Sequence, residues 1–141
     1  MANPKTFLVT GANKGIGYEI ARQLVEKGAR VFVGARDAGR GQAAAARLKA
    51  EFLPLDVSDA RSIDQAIEAL SSQVEVLDGL INNAGVLDDD RGTSILDTDP
   101  GLIRRTLDTN TFGPLYLTQK LAPLLTKAVD GGRVVNLSSG L

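Results

Sequence analysis

The stretch Thr10-Gly11-Ala12-Asn13-Lys14-Gly15-Ile16-Gly17 decides how this chain folds. It follows the apolar run Phe7-Leu8-Val9, which has the continuous character of a strand buried on both faces. It precedes a segment in which Ile16, Ile20 and Leu24, flanked by Ala21 and Val25, recur at helical spacing until Gly28 closes the stripe. A plain strand-to-helix turn needs one glycine, and this one has three. Residues without a Cβ allow a tight turn and close approach of the backbone to a ligand. The helix that follows offers unpaired N–H groups and a positive dipole end, a setting suited to a pyrophosphate. The spacing is G-x-x-x-G-x-G, distinct from the G-x-G-x-x-G of the common dinucleotide fingerprint.

Outward from this turn the same alternation repeats. Val31-Phe32-Val33 is a second buried strand, followed by a helix from about Asp37 to Lys49 that includes the run Ala43–Ala46. Phe52-Leu53 is a short third strand. Ser58 is placed to cap a helix carrying Ile63, Ile67 and Leu70. Val76-Leu77 through Ile81 forms the fourth strand. Asp99-Pro100 is a cap followed by a first-turn proline, and a long helical segment then carries Leu117, Leu121, Leu124 and Leu125. Arg133 to Leu137 is a fifth strand. Regular alternation of apolar strands with helices predicts an α/β domain over residues 1–141, a doubly wound parallel sheet with helices on both faces.

Composition bounds the chemistry. The 141 residues are 43% hydrophobic and 23% charged, with a net charge of −1 and acids and bases interspersed. No basic stripe tracks along the chain, which argues against nucleic acid and anionic membrane as partners. The absence of cysteine and histidine excludes disulfides, thiolate nucleophiles, zinc clusters and His-based triads within these residues. The first residues show no signal-peptide pattern and no stretch is long enough to cross a bilayer, so the expected location is cytoplasmic.

Five segments in order carry a family resemblance. T-G-x-x-x-G-I-G at Thr10–Gly17 resembles the cofactor turn of the classical short-chain dehydrogenases/reductases. Leu55-Asp56-Val57 resembles the family's segment beside the adenine ring. Asn82-Asn83-Ala84-Gly85 is similar to its N-N-A-G signature, which supports the central sheet and lines the cofactor. Asn110 falls where the family has a helix-kinking catalytic asparagine, and Asn136-Leu137-Ser138-Ser139 resembles the end of the strand that carries the catalytic serine. G-A-N-K-G-I-G-Y and the final G-R-V-V-N-L-S-S-G-L are most similar to the monomeric carbonyl-reductase branch. The resemblance implies a Rossmann-type fold truncated after its fifth strand. It also implies NAD(P)-dependent hydride transfer on a small-molecule carbonyl or alcohol substrate. The cofactor-binding set it implies is Gly11, Asn13, Lys14, Gly15, Ile16, Gly17, Arg36, Asp56, Val57, Asn83, Ala84 and Gly85.

The choice of cofactor is read at the end of the second strand. A carboxylate there accepts the ribose hydroxyls of NAD. This chain has Ala35 followed by Arg36, which removes a repulsive charge and offers a planar fork matched to phosphate oxygens. Lys14 adds a second cation, so NADP(H) is the expected cofactor. The alternative is that Asp37 serves as the ribose acid after a one-residue slip, with Arg36 and Lys14 as solvated surface charges.

The resemblance assigns Asn110 and Ser139 to catalysis, with Ser138 as the alternative serine. It also implies a proton-donating tyrosine and a lysine four residues later, on the helix after the serine, and the sequence stops short of that helix. A literal match, Tyr116-Leu117-Thr118-Gln119-Lys120, precedes the serine instead. On a continuous helix Tyr116 would stand roughly 9 Å along and a third of a turn around from Asn110, so it reads as a boundary aromatic. The residues given are therefore expected to bind cofactor with negligible turnover. The chain reads as a fragment of a reductase. The alternatives are a catalytically inactive dinucleotide-binding regulatory or assembly protein, and an epimerase- or dehydratase-type relative. Val134-Val135 is expected to present an open sheet edge, making the isolated chain marginal or partner-dependent. The acidic stretch Leu87 to Asp97 reads as solvated loop charge. Substrate identity and oligomeric state are not legible.

Overall fold

A computed structural model of the chain describes residues 3–86 and 93–138. The elements are β1 (Thr6–Thr10), α1 (Gly15–Glu26), β2 (Arg30–Ala35), α2 (Ala38–Leu48), β3 (Glu51–Pro54), α3 (Ala60–Ser71), β4 (Gly79–Asn82), α4 (Pro100–Leu107), a π-helical turn (Asp108–Phe112), α5 (Gly113–Leu125) and β5 (Arg133–Asn136). All strand pairs are parallel and the sheet order is β3-β2-β1-β4-β5. The chain crosses from one side of β1 to the other between β3 and β4. A crevice therefore opens at the carboxyl ends of β1 and β4, the usual ligand position in such sheets.

The continuous apolar runs have a direct structural reason. Leu8, Phe32 and Leu80 point to the face covered by α3 and α5, where Ile63, Leu70, Leu117 and Leu121 meet them. Their neighbours Val9, Val31, Val33 and Ile81 point to the opposite face, against Ala21 of α1 and Ala44, Ala45 and Leu48 of α2. Successive strand residues alternate between faces, and because both faces are covered both must be apolar.

The helix starts differ in their chemistry. Asp37 caps α2 by accepting from the Arg40 N–H, Asp59 caps α3 by accepting from Arg61, and Asp99 caps α4 by accepting from Gly101, with Pro100 in its first turn. The expected cap Ser58 is displaced by one residue. Its hydroxyl instead donates to Asp56 Oδ1 at 2.6 Å, which leaves Asp59 to receive the helix amide. Arg30 and Glu51 tie β2 to the edge strand β3 at 2.6 Å, and the guanidinium holds the Glu51 carboxyl below the usual carboxylate range.

Two other expectations are corrected. The fourth strand begins at Gly79 rather than Val76, because the Leu77 N–H turns to the Leu124 carbonyl and only from Asp78 onward do the amides join the ladder. Ile16 stands 70% exposed and does not join the α1 stripe, whose buried residues are Gly17 and Ala21. The long helical segment is present from Pro100 to Leu125, with a π turn that inserts an extra residue between α4 and α5. β5 is an edge strand, and Val134 and Val135 are 40% and 45% exposed on it.

The π turn is wedged against the sheet. A Cβ built on Gly113 would lie 2.0 Å from the Val57 carbonyl oxygen and 2.8 Å from that of Asp108. Neither backbone can retreat as a side chain would. Gly113→Ala is expected to lower unfolding stability by about 2–3 kcal/mol, measured by urea denaturation, since overpacking against fixed atoms costs in that range.

A candidate dinucleotide cleft and an adjoining cavity

The crevice is built on the end of β1. Thr10 is buried, and its hydroxyl oxygen accepts from the backbone N–H groups of Asn83 at 3.0 Å and Ala84 at 2.9 Å. The Asn83 carboxamide returns the connection, donating to the carbonyls of Thr10 at 3.0 Å and Gly11 at 3.1 Å. Side chain and backbone thus lock the ends of β1 and β4 together where no ladder hydrogen bond reaches. This closeness requires glycine twice. Gly11 has φ +60°, and a Cβ there would meet Ala84 Cα at 2.9 Å. On Gly17 a Cβ would fall 2.3 Å from Asn83 Nδ2. Gly17 therefore lets α1 settle onto the junction, whereas a Cβ on Gly15 would meet nothing within 4 Å and faces open space.

Against that open space stands the start of α1. Its N-cap is Lys14, extended and without a side-chain cap, and the first turn carries no acid. The orphan amides and the positive dipole end remain available, unlike those of the three Asp-capped helices. They adjoin a cleft of about 410 Å³ lined by Gly11, Asn13, Lys14, Gly15, Ala35, Arg36, Leu55, Asp56, Val57, Thr109 and the segment Asn83–Val86. The structure thus gathers ten of the twelve expected cofactor residues around one cleft. Gly17 lies beneath it, and Ile16 can contribute its backbone amide while its side chain points to solvent. Asp37, the alternative ribose acid, is occupied as the α2 cap and does not line the cleft.

A second cavity of about 760 Å³ shares the Asn83–Val86 wall and runs toward β5. The π turn divides the two: Thr109 faces the cleft, Asn110 and Thr111 the cavity. The Asn110 carboxamide accepts from the Val86 N–H at 2.8 Å and donates to the Val86 carbonyl at 2.7 Å. It pairs with the chain beyond the N-N-A-G segment as a strand neighbour would. On the opposite wall Asn82 Nδ2 donates to Asn136 Oδ1 at 2.9 Å and to the Thr118 hydroxyl at 3.3 Å. Asn82 Oδ1 is buried without a partner among the described residues. Ser138 lines this cavity; Ser139, the expected serine, lies outside the described residues, as do residues 87–92 of the acidic stretch.

Tyr116 and Lys120 line neither space. The Tyr116 hydroxyl donates to Asp64 Oδ1 on α3 at 2.8 Å, and Lys120 Nζ sits 4.0 Å from the same oxygen and 5.2 Å from the Tyr116 ring centre. The helical arithmetic from Asn110 does not apply across a π turn, yet its conclusion holds because the pair faces α3. From that five-residue match the member reaching the cavity is Thr118, which sequence reasoning passed over along with Thr10 and Thr109.

The family model described as short chain dehydrogenase matches residues 5–141. The chain belongs to the short-chain dehydrogenase family. It is 41% identical over 140 residues to carbonyl reductase (NADPH) 1 of Bos taurus, covering 94% of this chain and 48% of that protein. Against (+)-neomenthol dehydrogenase of Arabidopsis thaliana it is 35% identical over 162 residues, covering 98% and 54%. The fold matches a Pseudomonas aeruginosa RhlG/NADP active-site complex with a TM-score of 0.87 at 32% identity, over 96% of this chain and 54% of that one. A Streptomyces avermitilis short-chain dehydrogenase matches with a TM-score of 0.89 at 32% identity, over 99% and 50%. The chain spans about half the length of the relatives it matches.

Thr10 is the residue whose loss isolates the junction. Thr10→Val keeps the shape but leaves the Ala84 amide without its acceptor and the Asn83 amide with the Ile81 carbonyl alone, at 3.1 Å. Unsatisfied buried donors cost about 1–3 kcal/mol. The variant is expected to lose about that much in thermal or urea unfolding and to show faster amide exchange across residues 83–85.

Proposed function

We propose that this chain is the cofactor-binding part of an NADP(H)-dependent short-chain reductase acting on a small carbonyl or alcohol. The observation that carries the reading is the uncapped start of α1 opening into a cleft whose β2 side ends in Ala35 and Arg36. The cleft fits the group: the amides after Lys14 would take the diphosphate, and the open face of Gly15 leaves room for it. Asp56 and Val57 would border the adenine. Lys14 and Arg36 would pair with a ribose 2′-phosphate, where an NAD-type site would present a carboxylate. Support comes from two relatives whose names carry the cofactor, the carbonyl reductase (NADPH) and the RhlG/NADP complex.

When bound, the nicotinamide supplies hydride exchange with a carbonyl or alcohol carbon. The residues of this chain bind and orient around that exchange. Asn110 fixes the segment after Gly85 and so sets the wall between cleft and cavity. Ser138 or Ser139, at the end of β5, would donate a hydrogen bond to the substrate oxygen in the larger cavity. The two tyrosines present cannot protonate that oxygen: Tyr116 is tied to Asp64, and Tyr18 lies under Arg47, whose guanidinium is 5.6 Å from its ring centre. These 141 residues are accordingly expected to bind dinucleotide with negligible turnover of an aldehyde or quinone.

Isothermal titration of the chain with NADPH and NADH at low salt tests the reading. NADPH is expected to bind at least about tenfold more tightly, and Arg36→Ala to narrow the gap, as the loss of one charge-assisted contact implies. Equal dissociation constants would defeat the cofactor assignment, and cofactor-dependent turnover abolished by Tyr116→Phe would defeat the assignment of roles.

A further inference from the structure

Aspartate followed by glycine occurs twice in the chain, at Asp78-Gly79 and at Asp130-Gly131. The pairing is reactive because glycine has no side chain to shield its amide nitrogen from the neighbouring carboxyl group. That nitrogen can close on the aspartate Cγ to form a five-membered imide. Closure needs a carboxyl that can swing toward it and an amide outside a sheet ladder.

The fold treats the two sites differently. The Asp78 carboxylate accepts from the Thr6 N–H at 2.8 Å, and its carbonyl accepts from the Arg133 N–H at 2.9 Å. Gly79 is buried inside β4, in register with Phe7 on one side and Arg133 on the other. The Phe7 ring fills the space where a Cβ would stand, 2.4 Å away. Ring closure there requires β4 to part from both neighbours. Asp130 instead stands in the loop between α5 and β5, with its side chain 75% exposed. Its ionic partner among the described residues is Lys5, whose Nζ is 3.6 Å away on a side chain itself 60% exposed. Exposed pairs of this kind hold a side chain weakly. Gly131 is exposed at φ +79°, and its N–H makes a turn bond to the Ala128 carbonyl at 3.0 Å, outside the sheet. Solvent-facing turns such as this open locally at small cost.

We propose that Asp130-Gly131 is a site of spontaneous isoaspartate formation, and that the conversion loosens β5. The Gly131 nitrogen bonds to Asp130 Cγ, the Cγ–OH bond breaks, and one water leaves with the amide proton. Water then adds to the main-chain carbonyl carbon of the imide, and the bond from that carbon to nitrogen breaks. The chain now runs through Cβ and Cγ, with the carboxylate on Cα. One water is lost and one regained, so the step needs no oxidant and no enzyme. The main chain becomes one carbon longer just ahead of β5. Gly132 has little room to absorb the change, because a Cβ on it would already lie 2.5 Å from the Leu125 carbonyl oxygen. The displacement falls on the Arg133 N–H, which joins β5 to the Asp78 carbonyl. β5 pairs with β4 alone among the described residues, and it carries Asn136 to the wall of the larger cavity.

The test incubates the chain at physiological temperature in mildly acidic buffer, beside synthetic peptides of residues 74–84 and 126–136 that set the rates without a fold. Isoaspartate is quantified by peptide mapping with isoaspartyl methyltransferase labelling. Asp130→Glu, whose longer side chain closes an imide far more slowly, is the blank. Asp130 in the chain is expected to convert within about threefold of its peptide, and Asp78 at least about tenfold more slowly than its own, because local opening ranges from nearly free in exposed turns to the global cost in central strands. Amide exchange across residues 133–136 is expected to be faster in the converted chain than in fresh chain or in Asp130→Glu aged alongside. Asp130 protected as strongly as Asp78 overturns the site. Asp78 converting as fast as its peptide overturns the fold's choice between the two. Unchanged exchange across β5 in the converted chain overturns its loosening.

Discussion

The structure depends on a hydroxyl and a carboxamide that bind strand ends no ladder can reach. At the carboxyl edge of a parallel sheet the strands splay and their last polar groups face the crevice, where each must find a partner or water. Here the Thr10 hydroxyl accepts two amides from the segment after β4, and Asn83 donates back to two carbonyls after β1. Four polar groups are satisfied by two side chains. The crevice therefore has a fixed floor, and the helix that starts above it is held at one distance by Gly17 packing on Asn83.

That floor gives the uncapped helix start its meaning. An exposed N-terminus is an ordinary feature, and at a surface it would be hydrated. Set over a concavity with Lys14 and Arg36 at its rim, it presents oriented amides that would meet the proposed diphosphate without reorganisation. The aspartates that close α2, α3 and α4 show that this sequence caps helices where it can. At α1 a carboxylate cap would compete with a phosphate for the same amides, and Lys14 stands there instead.

The far side of the molecule has a different character. Val134, Val135 and Leu137 on and after β5, with Phe112 and Leu115 at the start of α5, are each 40% exposed or more. Of these, Val134, Leu137 and Leu115 line the larger cavity, together with Asn110 and Thr111 on one side and Asn136 and Ser138 on the other. Cleft and cavity therefore differ in their walls: the first is lined by elements from both flanks of β1, the second by the end of β4, the π turn, α5 and β5.

Much of this was legible from the residues alone. Apolar runs flanking a three-glycine turn, repeated with helices between, dictate a parallel sheet covered on both faces, because only that arrangement buries consecutive strand residues. Ala35-Arg36 and Lys14 could be placed at the cleft because a strand end and a glycine turn fix backbone positions through local geometry. Tertiary contacts decided the rest. Asp59 rather than Ser58 caps α3 because the Ser58 hydroxyl has gone to Asp56, and β4 starts late because the Leu77 amide has a partner on α5. The π turn has no periodic signature; it arises where Gly113 presses against Val57. Sequence determines which groups need partners locally, while distant partners become available only when the chain has folded.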